Sequence, residues 1–150
     1  MKSIVDYEVV FLKRKVLMGL SSDVQEETPD MELWGAFYKN FYEKVPNRLN
    51  EKVYEVYSSI DSHLLTCQVT IGCEVANSEK PPKNAREIVI PAGNFAKFTL
   101  RGNVYEIVPN FWKQLKHVTL PFERSYSYDF EEYPTSETDD VTVSVYLGIQ

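Results

Sequence analysis

Among the polar residues of the last two apolar segments of this 150-residue chain are a carboxylate and two phenols whose spacing could bind a ligand. Glu131 and Tyr133 lie two residues apart at the end of segment 124–133, and Tyr146 lies inside segment 141–149. Both segments alternate in the period-two manner of strands, so they predict a hairpin. The three side chains are therefore candidates for one shared surface.

The register of that hairpin decides which residues share a face. A one-residue slip would exchange the two faces of a strand, so the apolar sets of both strands are expected on the same side. That condition pairs odd with even positions and sets Glu131 opposite Ser144 or Tyr146. Glu131, Tyr133 and Tyr146 are then predicted to share the less apolar face.

Two environments are open to this face, and they differ in chemistry. In water, a strand glutamate is simply solvated. In a groove, the carboxylate attracts a cation through a lower dielectric, and each ring face adds roughly 0.5–2 kcal/mol of cation–π attraction. A partly buried glutamate beside tyrosines could also act as a general base on water.

Composition limits the class of protein. The chain is 43% hydrophobic and 13% aromatic, which is enough to bury the core of one domain. A net charge of −6 argues against nucleic acid or an anionic membrane as partner. The N-terminus does not resemble a signal peptide, and no apolar run reaches the ~20 residues of a membrane span. Cys67 and Cys73, ~20 Å apart on one predicted strand, are expected to be free thiols, which favours the cytoplasm.

Hydrophobic periodicity predicts two helices with strands on either side. Helices are expected over 30–45 and 104–118, and Pro109 either opens or kinks the second one. Strands are expected at 7–21 (one strand or a bent pair), 52–59, 64–76, 87–102 (with a break at Pro91–Gly93 left open), 124–133 and 141–149.

The order β-α-β-β then occurs twice, and a shift of 76 residues superimposes the halves. Glu55 meets Glu131, Tyr57 meets Tyr133, and Gly72 meets Gly148 under this shift. The predicted fold is α+β, with duplicated βαββ units in pseudo-twofold symmetry, antiparallel sheets and two main helices. One domain spans 1–150, with repeats at about 1–76 and 87–150 and a linker at 77–86. Pairing the units leaves a groove at their junction, where ligand pockets are common.

Other aromatic residues are candidates to line this groove, although each could equally be core. They are Trp34, Phe37 and Tyr38 on the first helix, Trp112 on the second, and Tyr57, the repeat mate of Tyr133. Glu55 is not a candidate, because Glu51 and Lys52 beside it suggest an exposed strand.

Four segments also carry a family resemblance: VIPAGNFAKFTLRG (89–102), NFWKQL (110–115), TLPFERSYSYDFEEY (119–133) and VTVSVYLGI (141–149). They resemble the GyrI-like small-molecule-binding domain, also called the AraC effector-binding domain. The resemblance implies a duplicated βαββ fold that holds small, often planar, aromatic and cationic molecules between its halves. It also implies that Glu131 and Tyr146 line the pocket, as a glutamate and a tyrosine do in drug-sensing relatives.

Three functions remain open on these grounds. The chain could be a stand-alone binder of planar, hydrophobic, often cationic ligands, which sequesters or senses them. It could be a hydrolase of strained electrophilic aromatic toxins of the cyclopropane type, with Glu131 as catalytic residue. It could also inhibit a protein partner such as a topoisomerase, as some relatives do. Binding is favoured, because a lone carboxylate lacks a second positioned catalytic group.

No cofactor and no metal site are expected. His63 and His117 have no partner at the spacing of metal ligands, and the chain has no Cys-x-x-Cys pair.

Overall fold

The computed structural model describes residues 6–25, 31–61 and 66–150. In these ranges the chain forms eight strands, two α-helices and one 3₁₀ turn (Tyr42–Lys44). The elements are β1 (Glu8–Leu12), β2 (Lys15–Gln25), α1 (Met31–Asn40), β3 (Val53–Asp61), β4 (Thr66–Glu74), β5 (Arg86–Ile90), β6 (Gly93–Gly102), α2 (Val104–Leu115), β7 (Arg124–Tyr133) and β8 (Val141–Ile149). The predicted α+β class is confirmed.

All described strands join one antiparallel sheet in the order β1-β6-β8-β7-β3-β4-β2-β5. The order is symmetric about its centre, because each strand of the first half has its counterpart at the mirrored position. The central pair is β3 with β7, and Glu55 lies directly opposite Glu131 there. Two residues matched by the 76-residue shift thus face each other at the pseudo-twofold axis. The repeat boundaries and the 77–86 linker stay predictions.

Both helices lie over the same face of the sheet. Helix α1 packs on β2 and β4 through the fully buried Phe37, and α2 packs on β6 and β8 through Phe111 and Leu115. The side chain of Asn103 accepts a hydrogen bond from the backbone N–H of Tyr105 and caps α2. Pro109 therefore lies inside α2 and does not open it. The predicted first position of helix α1, residue 30, lies outside the described residues.

The opposite face of the sheet is buried as well. Tyr54, Phe130 and Tyr146 from the central strands form an apolar cluster there, with Phe95 of β6. Side chains of the edge strands β1 and β5 pack against this cluster. Because both faces of β7 and β8 are buried, their apolar pattern does not by itself identify one core-facing side.

The predicted face of Tyr146 is wrong for this reason and because of a bulge. Arg124 pairs with Ile149, an even residue with an odd one, as expected. Asp129 then pairs with Leu147, where an unbroken ladder would pair it with Ser144. Beyond this irregularity odd residues pair with odd ones, so Glu131 lies opposite Val145 and Tyr146 lies on the other face of the sheet, stacked on Phe130.

The structure decides several points that the sequence left open. The first apolar segment is a bent pair of strands, and the fourth is broken between Ile90 and Gly93. Cys67 and Cys73 are free thiols, and burial raises the pKa of Cys73 to about 11. In the part of the chain that the structure describes, neither helix is long and apolar enough to cross a membrane.

Candidate ligand-binding site

A cavity of about 1380 Å³ lies between α1, α2 and the central strands β3 and β7. This position is the junction of the two halves, where the sequence predicts a groove. Its aromatic lining comes from Trp34 and Tyr38 on α1, Tyr57 on β3, Tyr105 and Trp112 on α2, and Tyr126 and Tyr133 on β7. Apolar walls with a few placed polar groups are typical of small-molecule sites.

Glu131 lies beneath the cavity and has no exposed surface. Its Oε2 accepts hydrogen bonds from the Tyr57 hydroxyl at 2.6 Å and from the Trp112 indole N–H at 2.8 Å. Its Oε1 accepts one from the Tyr133 hydroxyl. Three donors on both oxygens stabilise the carboxylate. The donor rings line the cavity and Glu131 does not, so Glu131 positions those rings.

Glu55, opposite Glu131 on β3, is held differently. It borders the cavity and is only 3% exposed. Its Oε1 accepts a hydrogen bond from the Trp34 indole N–H at 3.1 Å. Its Oε2 is buried and has no hydrogen-bond partner among the described residues. The expectation that Glu55 is exposed is wrong, because Glu51 and Lys52 precede β3 whereas Glu55 lies inside a central strand.

The aromatic walls support one another through ring contacts. Trp34 stacks on Tyr38 with centroids 5.9 Å apart and meets Tyr133 edge-on at 5.2 Å. Tyr57 meets Trp112 edge-on at 5.4 Å. Burial raises the pKa of Tyr38 to about 12, so its phenol is neutral at physiological pH. These contacts hold a set of rings around Glu55 and above Glu131.

The chain also resembles known proteins in sequence and in fold. The family model of integron-associated effector-binding proteins (Cass2) matches residues 8–149. The chain belongs to this family. Its membership confirms the effector-binding resemblance predicted from the sequence. Among curated proteins, no sequence matches the chain significantly.

Solved structures share the fold of this effector-binding protein at low identity. The integron cassette protein VCH_CASS2 of Vibrio cholerae superimposes with a TM-score of 0.78 at 19% identity, covering 96% of this chain and 95% of its own. SAV2435, solved bound to tetraphenylphosphonium, gives 0.73 at 12%, covering 97% and 94%. The EcmrR C-terminal domain gives 0.64 at 12%, covering 96% and 98%.

The predicted site residues of this effector-binding protein fall into three groups. Trp34, Tyr38, Tyr57, Trp112 and Tyr133 line the cavity, and Glu131 lies beneath it. Phe37 is core, because α1 turns it onto β2 and β4. Tyr146 lies on the far face of the sheet and does not reach the cavity. The role of the cavity-lining residues in binding stays a prediction.

Two features of the cavity were missed from the sequence. Glu55 had a usable signal, because the 76-residue shift pairs it with Glu131. The second feature is an ion pair at the β7 bulge, in which Arg124 Nη2 donates to Asp129 Oδ2 at 2.6 Å. Burial raises the pKa of Asp129 and the charge of Arg124 opposes that rise. No sequence pattern indicated this pair.

Proposed function

We propose that this effector-binding protein captures hydrophobic aromatic cations in the cavity between α1 and α2. The observation that carries the proposal is the buried Oε2 of Glu55 in the wall of an aromatic cavity, which has no hydrogen-bond partner within residues 6–25, 31–61 and 66–150. Burying a carboxylate oxygen without a partner is costly, on the order of 1–3 kcal/mol or more. A bound cation would offset that cost.

The surrounding rings favour the same ligand class. Trp34 and Tyr57 border the cavity beside Glu55, and faces of such rings attract cations by roughly 0.5–2 kcal/mol each. Flat apolar ligands also gain from contact with these walls. The binding of tetraphenylphosphonium by SAV2435, which shares the fold, supports the proposal for this chain.

The environment of Glu131 does not favour the hydrolase alternative. Both oxygens of Glu131 accept hydrogen bonds, and its side chain has no exposed surface. A general base must come within hydrogen-bond reach of the proton it removes. We therefore propose binding, with Glu55 as the carboxylate nearest the ligand and Glu131 as the residue that orders the aromatic walls.

The test is titration of the protein with tetraphenylphosphonium by calorimetry. Wild type is expected to bind, and Glu55→Gln is expected to weaken binding at least tenfold, about 1.4 kcal/mol, because the charge is lost at constant shape. Tetraphenylborate, an anion of the same shape, is the ligand control and is expected not to bind. Glu132→Gln is the protein control, because it changes the same charge on the opposite face of β7.

Three outcomes contradict the proposal. Wild type does not bind the cation, or it binds the cation and tetraphenylborate equally well. In the third outcome, Glu55→Gln binds the cation as tightly as wild type does.

A further inference from the structure

The cavity contains a cationic side chain that a site for simple lipophilic cations does not need. Arg124 lies in its wall at the bulge of β7, and its side chain is 17% exposed. Its guanidinium lies 4.4 Å from the centre of the Tyr126 ring, which also lines the cavity. Asp129 already pairs with the guanidinium of Arg124, and this pair leaves other donors of the guanidinium unused.

A count of donors and acceptors shows that the ion pair is unbalanced. Oδ2 of Asp129 accepts from Arg124, and Oδ1 accepts from the backbone N–H of Gly148 at 3.1 Å. Both carboxylate oxygens are therefore used. A guanidinium has five N–H donors, and Asp129 takes one of them. The Nε of Arg124 is buried with no hydrogen-bond partner among the described residues. Asp129 uses two of its roughly four acceptor sites, so the pair presents more unused donors than unused acceptors.

The guanidinium of Arg124 lies over the ring of Tyr126, a residue with an unusual backbone conformation. Tyr126 has a φ of 57°, in the left-handed region that a bulky residue rarely adopts. Bulges re-aim side chains, and strain of this kind persists where the surrounding structure imposes it, often at ligand sites. Stacking on Tyr126 orients the planar fork of Arg124, a geometry suited to a ligand carboxylate.

The general charge of the cavity does not explain this arrangement. Lys113 borders it on α2, Lys116 borders it just after that helix ends, and Asp61 and Glu137 border it elsewhere, so acidic and basic groups are mixed along its rim. Position therefore matters more than net charge. Glu55 is the acceptor-rich end, and Arg124 is the donor-rich end.

The separation of these two ends fits one small molecule. Asp129 lies two residues from Glu131 on β7, a step of ~7 Å, and Glu131 lies opposite Glu55 on the neighbouring strand. Arg124 and Glu55 are thus on the order of 10 Å apart across the cavity. An aromatic molecule with a cationic nitrogen and a carboxylate at that spacing can meet both.

Resting on the proposed function, we infer that the ligands this protein prefers are aromatic zwitterions. Their cationic group lies beside Glu55 and their carboxylate is bound by Arg124. Plain lipophilic cations fill the same cavity but leave the guanidinium donors unused. The preference for a carboxylate distinguishes this inference from cation capture alone.

The test compares two dyes with the same xanthene cation by fluorescence anisotropy. Rhodamine 19 carries a free carboxylate, and rhodamine 6G is its ethyl ester. Wild type is expected to bind rhodamine 19 at least fivefold more tightly. The double variant R124M/D129N removes both charges of the pair and is expected to bring the ratio of the two affinities to about 1. Arg124→Lys keeps the charge but loses the fork and is expected to give an intermediate ratio.

The ratio reports on carboxylate recognition, because a structural change in the cavity would affect both dyes alike. Equal or tighter binding of the ester by wild type overturns the inference. So does a ratio that stays fivefold in R124M/D129N. If tetraphenylphosphonium binds and neither rhodamine does, the inference fails while the proposed function stands. If tetraphenylphosphonium also fails to bind, the proposed function itself is contradicted.

Discussion

The two glutamates that face each other at the centre of the sheet have equivalent positions and different hydrogen bonds. Each accepts an indole N–H from the helix of its own half, Glu55 from Trp34 and Glu131 from Trp112. The related tyrosines Tyr57 and Tyr133 break this symmetry, because both donate to Glu131. Both oxygens of Glu131 thereby accept hydrogen bonds, whereas Oε2 of Glu55 has no hydrogen-bond partner among the residues that the structure describes. A symmetric scaffold thus carries an asymmetric site.

Irregularities in the central strands accompany this asymmetry. Strand β3 shifts register after Ser58, and β7 shifts before Asp129. Ser58 pairs with Tyr128, so both irregularities lie at the same end of the β3–β7 pair. That end also carries Arg124 and Asp129. The two ends of the cavity therefore carry different polar groups although the sheet order is symmetric.

Substituting each glutamate by alanine in turn should give the largest difference in stability between the two positions. We expect Glu131→Ala to lower the free energy of unfolding by about 3 kcal/mol, because three partly buried donors lose their acceptor. Glu55→Ala should lower it by about 1 kcal/mol or less, since only the Trp34 donor is lost. Urea denaturation of both variants measures this. Equal losses would contradict the assignment of separate roles.

Alanine substitutions at the matched glycines Gly72 and Gly148 should show a smaller difference in stability between the two halves. A Cβ at Gly72 would lie 2.6 Å from the backbone oxygen of Met18, which cannot move easily. At Gly148 it would lie 2.6 Å from Ser125 Oγ, which can rotate, and 2.9 Å from the Tyr128 backbone oxygen. We expect Gly72→Ala to cost about 3 kcal/mol and Gly148→Ala about 1–2 kcal/mol in thermal unfolding.

Two controls accompany the glycine variants. Ser125→Ala should recover part of the loss in Gly148→Ala, because it removes the nearest clashing atom. Gly35→Ala, where no atom lies within 4 Å of the added Cβ, should stabilise helix α1 by up to about 1 kcal/mol. A Gly148→Ala variant as unstable as Gly72→Ala, with no recovery by Ser125→Ala, would count against the described bulge.

Double-mutant cycles on Tyr57 and Tyr133 should give the smallest free-energy changes, but they test the individual hydrogen bonds most specifically. We expect Tyr57→Phe and Tyr133→Phe each to couple to Glu131→Gln by about 1 kcal/mol. Neither should couple to Glu55→Gln by more than ~0.3 kcal/mol. Free energies of unfolding in urea provide all the values. Coupling of Tyr57 to Glu55 would contradict the asymmetric hydrogen bonds, in which both tyrosines donate to Glu131.

Strand positions were the most predictable feature of this chain. The bounds of β7 and β8 match the alternating segments 124–133 and 141–149, because each alternates up to a turn. The 76-residue shift predicted that Glu55 and Glu131 are equivalent, and the sheet places them side by side. Periodicity and internal repetition are present in the sequence itself, so predictions based on them do not require knowledge of the tertiary contacts.

The face of Tyr146 and the importance of Glu55 were not predictable in the same way. A bulge at Tyr126 changes which residues of β7 and β8 pair, from even with odd before it to odd with odd after it. No local sequence pattern predicts a bulge formed by a non-glycine residue. Glu55 was set aside because charged residues precede it, yet burial depends on which strands flank β3 in the sheet. Strand order is set by long-range pairing, which single-sequence periodicity does not contain.

A crystal structure of the complex with tetraphenylphosphonium tests the central claim most directly. The account predicts that the cation lies in the cavity between α1 and α2, within about 6 Å of Glu55 Oε2, with its phenyl groups against the Trp34 and Tyr57 rings. Glu131 should keep its three hydrogen bonds. A cation seated on the far face beside Tyr146, or one that draws Glu131 away from its donors while Glu55 stays unpaired, would contradict it.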